Sequence, residues 1–321
     1  MRALPFIPLL LGVGMAMPAL AANSSTDAAD WLNRLAKAEQ QQSYQGTFVY
    51  ERNGSFSTHD IWHRVQDGKV SERLLQLDGP AQEVVRVDGQ TQCVSGTLVQ
   101  GVGNATESSA RVLDPLKLMN WYDLSVAGHS RVAGRDVTII TLRPRDQHRY
   151  AFEIHLDDKT ALPLKSLLIN DKEQLLERFQ FTRLDTADIP DDAELRPSGN
   201  CKPVAQSVAR SSESVAGWRS DWLPPGFELI NSSVRKDPAG KGAVSSLMYD
   251  DGLARFSVFL EAVDGAAGAD VRTQLGPTVA VSRRLTTPKG EVMVTVVGEI
   301  PIGTAERVAL SMRAQDAQAS Q

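Results

Sequence analysis

Residues 44–89 read YQGTFVYERNGSFSTHDIWHRVQDGKVSERLLQLDGPAQEVVRVDG, and this stretch decides the fold class. It is punctuated by Asn53-Gly54, Asp67-Gly68, Asp78-Gly79 and Asp88-Gly89. Such pairs reach the positive φ angles of tight hairpins at little steric cost. Their spacings of 14, 11 and 10 residues leave room for one strand and one turn each. The segments between them, Tyr44–Arg52, Phe56–Val65, Val70–Leu77 and Glu83–Val87, are rich in aromatic and β-branched residues, as strands are. An antiparallel meander is expected.

Upstream, Ala28, Trp31, Leu32, Leu35 and Ala36 recur at i, i+3, i+4, i+7 and i+8, the single apolar stripe of a helix that Thr26 or Asp27 can cap. One stripe lies across something flat, and the sheet is the expected partner. Further upstream, Met1-Arg2 and an apolar run from Ala3 to about Met17 lead into Pro18-Ala19-Leu20-Ala21, an A-x-A cleavage signal. Residues 1–21 read as a signal peptide, too short to span a membrane, so the mature chain is expected to begin at Ala22 and to be soluble on the far side.

Downstream of the meander, Gly96–Ser109 is loose in composition, and Asp114–Trp121 reads as a short helix with Pro115 in its first turn. A second meander follows in Val137–Leu142, Tyr150–Leu156, Leu164–Asn170 and Leu175–Leu184. Tyr150, Phe152, Ile154 and Leu156 alternate with Arg149, Glu153 and His155, which buries one face and wets the other. About eight antiparallel strands curved around a helix make a first domain of residues 22–185. Residues 186–217 carry three prolines and few large apolar side chains, the composition of a linker. A smaller, β-rich domain of residues 218–321 follows, with strands at Phe256–Leu260, around Val279 and Val281, and at Val292–Val296. Thr304 can cap its closing helix, on which Ala305, Val308, Ala309 and Met312 share a face. The fold class is therefore α+β and mostly β.

The formal charge is −5, or −6 once Arg2 is lost with the leader, and no basic patch marks a nucleic-acid footprint. No G-x-S-x-G elbow, P-loop, C-x-x-C or H-E-x-x-H is present, and no cofactor motif either. Gly101-Val102-Gly103 lacks the third glycine and the strand–helix context of a dinucleotide loop. His59 and His63 fall on one face of a strand without a third ligand nearby, and structural roles suit them better than a metal. Asp157-Asp158 and Asp191-Asp192 sit where turns are expected and suit turn chemistry. Binding, not catalysis, is the function class left. Cys93 and Cys201 are either a disulfide tying the linker to the first sheet or two separate thiols. Trp218, Trp222 and Phe227 open the second domain as packing residues of a domain junction or as anchors for a partner. Several strands are apolar on both faces and need cover on both, by protein or by an apolar ligand. The candidate lining residues are Leu75, Val85, Ile140, Phe152, Leu168 and Phe179. A one-residue slip in register would exchange each for its neighbour.

Phe48–Gly54 (FVYERNG), Arg73–Gly79 (RLLQLDG), Arg143–Tyr150 (RPRDQHRY) and Leu162–Ser166 (LPLKS) resemble the first domain of the RseB/MucB family of periplasmic sigma-factor regulators, most of all its MucB branch. Trp222–Phe227 (WLPPGF) and Asp251–Phe259 (DGLARFSVF) are similar to the second domain of that family, in the same order. The resemblance implies a large domain shaped as an open half-barrel like the lipoprotein carriers LolA and LolB, with a separate sheet-and-helix domain behind it. It implies a periplasmic partner, the periplasmic part of a MucA/RseA-type anti-sigma factor, which such proteins shield from proteolysis. Lipid or lipopolysaccharide is implied as the releasing ligand, and alginate production as an output of the MucB branch. A lipid or lipoprotein carrier is the competing reading, and the domain after Trp218 is what a minimal carrier lacks. Self-association is left open by the sequence.

Overall fold

The computed structural model describes residues 22–96, 113–204, 217–236, 243–263, 270–288 and 290–314. Residues 1–21, expected to be a signal peptide, most of the loose Gly96–Ser109 segment and the last seven residues lie outside these. Helix α1 runs over Ala22–Gln41, so neither Thr26 nor Asp27 caps it; the helix begins earlier than its apolar stripe. The first meander is β1 (Tyr44–Arg52), β2 (Ser55–Gln66), β3 (Lys69–Gln76), β4 (Glu83–Val87) and β5 (Gln90–Val94). After the short helix α2 (Pro115–Leu118), the second is β6 (Tyr122–Val132), β7 (Arg135–Pro144), β8 (Ala151–Asp157), β9 (Pro163–Ile169) and β10 (Leu175–Asp185). Asp114 caps α2 by accepting from Leu116 N and Lys117 N at 3.0 and 3.1 Å.

With β11 (Lys202–Pro203) these strands form one antiparallel sheet in the order β11-β5-β4-β3-β2-β1-β10-β9-β8-β7-β6. The two meanders are therefore joined by a single seam, β1 against β10, whose residues are about 130 apart in sequence. The edge strand β6 approaches β10 although three strands lie between them, so the sheet curls into an open half-barrel.

Three of the four expected turn pairs make tight hairpins, with φ of 52° and 72° at Asn53-Gly54 and positive values also at Asp67-Gly68 and Asp88-Gly89. Asp78-Gly79 does not. Its six-residue connection is held instead by the Asp78 carboxylate, which accepts from Thr58 N at 3.0 Å. The β6–β7 hairpin turns at Ala133-Gly134, with Ala133 at φ 50°.

Residues 186–203, expected as linker, dock on the first sheet. Arg64 pairs with Asp192 at 2.8 Å, Arg73 Nη1 donates to Glu194 O at 2.9 Å, and Cys201 is bonded to Cys93 with 5.5 Å between their Cα atoms. Glu83, 1% exposed, accepts from Arg73 Nε at 2.6 Å and from the amide and hydroxyl of Ser198. Apart from the disulfide and the buried Leu195, the anchors of this strap are polar, which is why a reading based on apolar content missed them. Burial pushes the Glu83 carboxyl up, but the bonds from Ser198 and Arg73 outweigh it and hold it below its ordinary 4.5. A depressed carboxyl stabilises the fold above the unfolded value and loses that contribution as pH falls through the folded one. The Ser198 end of the strap should thus hold at about pH 5 and loosen as pH falls below 4.5, while the disulfide keeps the strap tethered. Amide exchange at Ser198 across an acid series checks this, and Glu83→Gln should flatten the profile.

The second unit pairs β12 (Trp218–Ser220) with β19 (Met312–Ala314), tying its first residues to its last. Its main sheet has the order β13-β14-β15-β18-β17-β16, from β13 (Glu228–Lys236), β14 (Ala243–Asp250), β15 (Arg255–Ala262), β16 (Val271–Leu275), β17 (Thr278–Thr287) and β18 (Gly290–Gly298). Helix α3 (Ile302–Ser311) covers β17 and β18 with Ala305, Val308 and Ala309, over a core of Phe256, Val258, Val281, Val294 and Val296. Thr304 is not its cap, since Pro301 holds that position without a side-chain bond. No helix among the described residues is long and apolar enough to cross a membrane.

Candidate functional site: an apolar face and the joint beside it

Directly paired residues of neighbouring strands share a face. Ile140 pairs with Ile154, Ile154 with Ser166, Ser166 with Phe179, and Phe179 with Tyr50. Phe152 pairs with Leu168 on the same face. Ile140, Leu142, Ile154 and Leu156 pack there against Ala28, Leu32 and Leu35 of α1, with Phe152 at the margin. The face continues through Phe48, Phe181, Ile61 and Leu74. Four of the expected lining residues, Ile140, Phe152, Leu168 and Phe179, therefore lie together. Ile140 is fully buried beneath α1, whereas Phe152 and Phe179 are only partly covered.

Leu75 and Val85 do not join them. Leu74 pairs with Ile61 and Val84, which puts Leu74 and Val84 on the helix-bearing face and turns Leu75 and Val85 to the other side. That outer side also carries Arg73, Glu83 and Cys93, the residues that hold the strap. The correction is the one-residue register slip that alternation along a strand permits.

At the end of the face where α2 meets β6, the second unit docks through a fully buried joint. Arg149 stands just before β8, and its side chain is 0% exposed, as is that of Asp251 between β14 and β15. Arg149 Nε donates to Asp251 Oδ2 at 2.6 Å, and its two terminal nitrogens donate to Asp146 and to the carbonyl of Pro225. Tyr122, fully buried in the α1 core, donates its hydroxyl to the same Asp251 oxygen at 3.2 Å. Burial and the Asp251 charge push the Tyr122 hydroxyl up, so it remains a donor. The guanidinium also lies 5.0 Å from the Phe227 ring and 5.5 Å from that of Trp121. Trp121 in turn packs on Gly226, at φ 85°, so closely that a Cβ there would overlap the indole.

Beside this node, Tyr150 OH donates to Ile300 O at 3.0 Å, and His148 Nδ1 lies 3.1 Å from Thr304 Oγ1. The Thr304 hydroxyl thus faces across the joint rather than capping its helix. Lys117 pairs with Glu228 at 2.8 Å on one flank, and Arg52 reaches Thr278 and Glu299 on another.

Of the three aromatic partner candidates, the structure places Trp222 and Phe227 in this packing and Trp218 within the second unit. Phe227 is 5% exposed in the core of the second sheet, and Trp222 is gripped between His148 and Arg307. Trp218 is half-buried on the β12–β19 pair. Arg149, Asp251 and Tyr122 were not singled out from the sequence. Their signal was nevertheless present, since the stretches Arg143–Tyr150, Trp222–Phe227 and Asp251–Phe259 quoted above converge at this one place.

Residues 27–199 match the MucB/RseB N-terminal domain family and residues 212–313 the MucB/RseB C-terminal domain family. The chain is 59% identical to the sigma factor AlgU regulatory protein MucB of Pseudomonas aeruginosa, over 96% of this chain and 97% of that protein. It is 28% identical to the sigma-E factor regulatory protein RseB of Salmonella typhimurium, over 91% and 93% of the two. A solved MucA/MucB complex from Pseudomonas aeruginosa contains a chain similar at TM-score 0.82 and 59% identity, covering 91% of this chain and 100% of that one.

Proposed function

Because the chain belongs to the MucB/RseB family, we propose that it is a periplasmic negative regulator of an envelope-stress sigma factor. It binds the periplasmic part of a MucA/RseA-type anti-sigma factor, protects that segment from proteolysis, and releases it when lipid or lipopolysaccharide binds. Full-length likeness to a chain solved together with MucA carries this reading. It acts by binding and performs no catalysis. Residues 22–185 with their docked strap hold the apolar face, and residues 218–321 complete the surface for the partner. The lining is Ile140, Phe152, Leu168 and Phe179, continued by Leu74 and Val84. A simple lipid carrier has no use for a second sheet clamped by buried charges, which favours the regulator.

If lipid weakens partner binding, partner must weaken lipid binding by the same factor, because the coupling is reciprocal. A tenfold effect is about 1.4 kcal/mol. The measurement is a titration of a lipopolysaccharide fragment into the preformed complex with a MucA-type periplasmic segment, following segment release and protease protection. Release with loss of protection is expected. Full protection at saturating lipid rules the release step out and leaves a plain protective binder.

A further inference from the structure

The turn Asp250–Ala254 belongs to the second unit, yet its Leu253 packs into the α1 core and Gly252 lies against Leu118. The turn is stiff. Asp251 Oδ1 accepts from Leu253 N and Ala254 N at 2.8 and 2.7 Å, and Asp250 accepts from Gly252 N at 2.6 Å and from Arg255 Nε at 2.7 Å. Strand β15 starts immediately after it, in the interior of the second sheet, with Phe256, Val258 and Leu260 all buried. A rigid element with one end in each of two close-packed cores passes a displacement on, because such cores do not yield continuously. Tyr122 stands at the crossing, its ring in the α1 core and its hydroxyl on Asp251.

We propose that the Asp250–Ala254 turn is the element through which the filling of the α1 core sets the position of β15, with Tyr122 as the positioning residue that makes the contact. The physiological trigger rests on the reading above, in which an apolar ligand enters the helix-bearing face; the coupling itself does not.

The test uses the full mature chain without any ligand. Ala28 is fully buried in the α1 core, and Ala28→Phe overfills it. Amides of residues 252–256 should then exchange about tenfold faster than in the parent, a local opening, while those of α3 keep their rates. In a Tyr122→Phe background, which removes one hydroxyl, the same overfilling should change the turn by less than about threefold. Ala29→Leu is the milder overfilled variant should Ala28→Phe not fold. A folded overfilled variant whose turn amides are unmoved overturns the proposal, and an equal response with Tyr122→Phe overturns the part given to Tyr122. A second arm adds a 14-carbon lysophospholipid below its micelle concentration. Binding that leaves the turn unmoved also overturns the proposal. A probe that fails to bind counts against the lipid reading alone, and the overfilled variants still decide the coupling.

Discussion

Arg149→Met is expected to destabilise the joined protein by about 3–5 kcal/mol, the usual cost of removing one partner from a buried ion pair. Methionine fills much of the arginine stem, so the loss isolates the charge. It leaves the Asp251 carboxylate at 0% exposure without its strongest donor, and the Pro225 carbonyl without its guanidinium partner. Asp146 keeps some contact with water at 24% exposure and suffers less. Since the lost contacts to Asp251 and Pro225 cross between the two units, the fold of each should survive while their docking fails. Calorimetry should show the parent's joint unfolding separating into two transitions. A single transition within about 1 kcal/mol of the parent would show that the node is dispensable. Adding Asp251→Asn to Arg149→Met should recover part of the loss, because the amide carries no charge while its Oδ1 can still accept from Leu253 N and Ala254 N.

The second large effect concerns the Cys93–Cys201 bridge, which closes a loop with a sequence separation of 108. Chain entropy alone assigns a loop of that length about 4–5 kcal/mol, an upper figure in practice. Cys93→Ser with Cys201→Ser should therefore lower the urea midpoint markedly. The native strap should remain partly docked through Arg64, Arg73 and Glu83, whose contacts do not involve sulfur. Thiol labelling of the denatured, unreduced parent should find no reactive cysteine. Two labelled thiols per chain would remove the premise, and an unchanged midpoint in the double variant would remove the energetic argument.

Where local chemistry dictates geometry, the sequence was a good guide. Asn53-Gly54 and its counterparts mark hairpins because few other pairs tolerate two positive φ angles. Ala133 escaped notice because alanine carries no such preference, although it sits at φ 50°, and β6 was lost with it. Leu75 and Val85 were placed on the wrong face because alternation fixes two sets of residues without saying which is inward. The strap escaped because, Leu195 aside, its side-chain anchors are a buried carboxylate and two arginines rather than apolar groups. The joint could not be assembled from spacing at all, since Tyr122, Arg149 and Asp251 come together only when both sheets exist.

The seam between β1 and β10 sets an order of events on the folding chain. Until residues 175–185 are available, β1 can pair only with β2, and its other side is an open row of backbone donors and acceptors beside Phe48 and Tyr50. Such an edge invites pairing with the wrong strand or with another molecule. The first meander must wait, half-finished, for its partner from the second, and contacts so distant in sequence are slow to form. Slow, concentration-sensitive refolding is the natural behaviour of this architecture, and substitutions that shorten the life of the unpaired β1 edge should raise the yield without touching the finished structure.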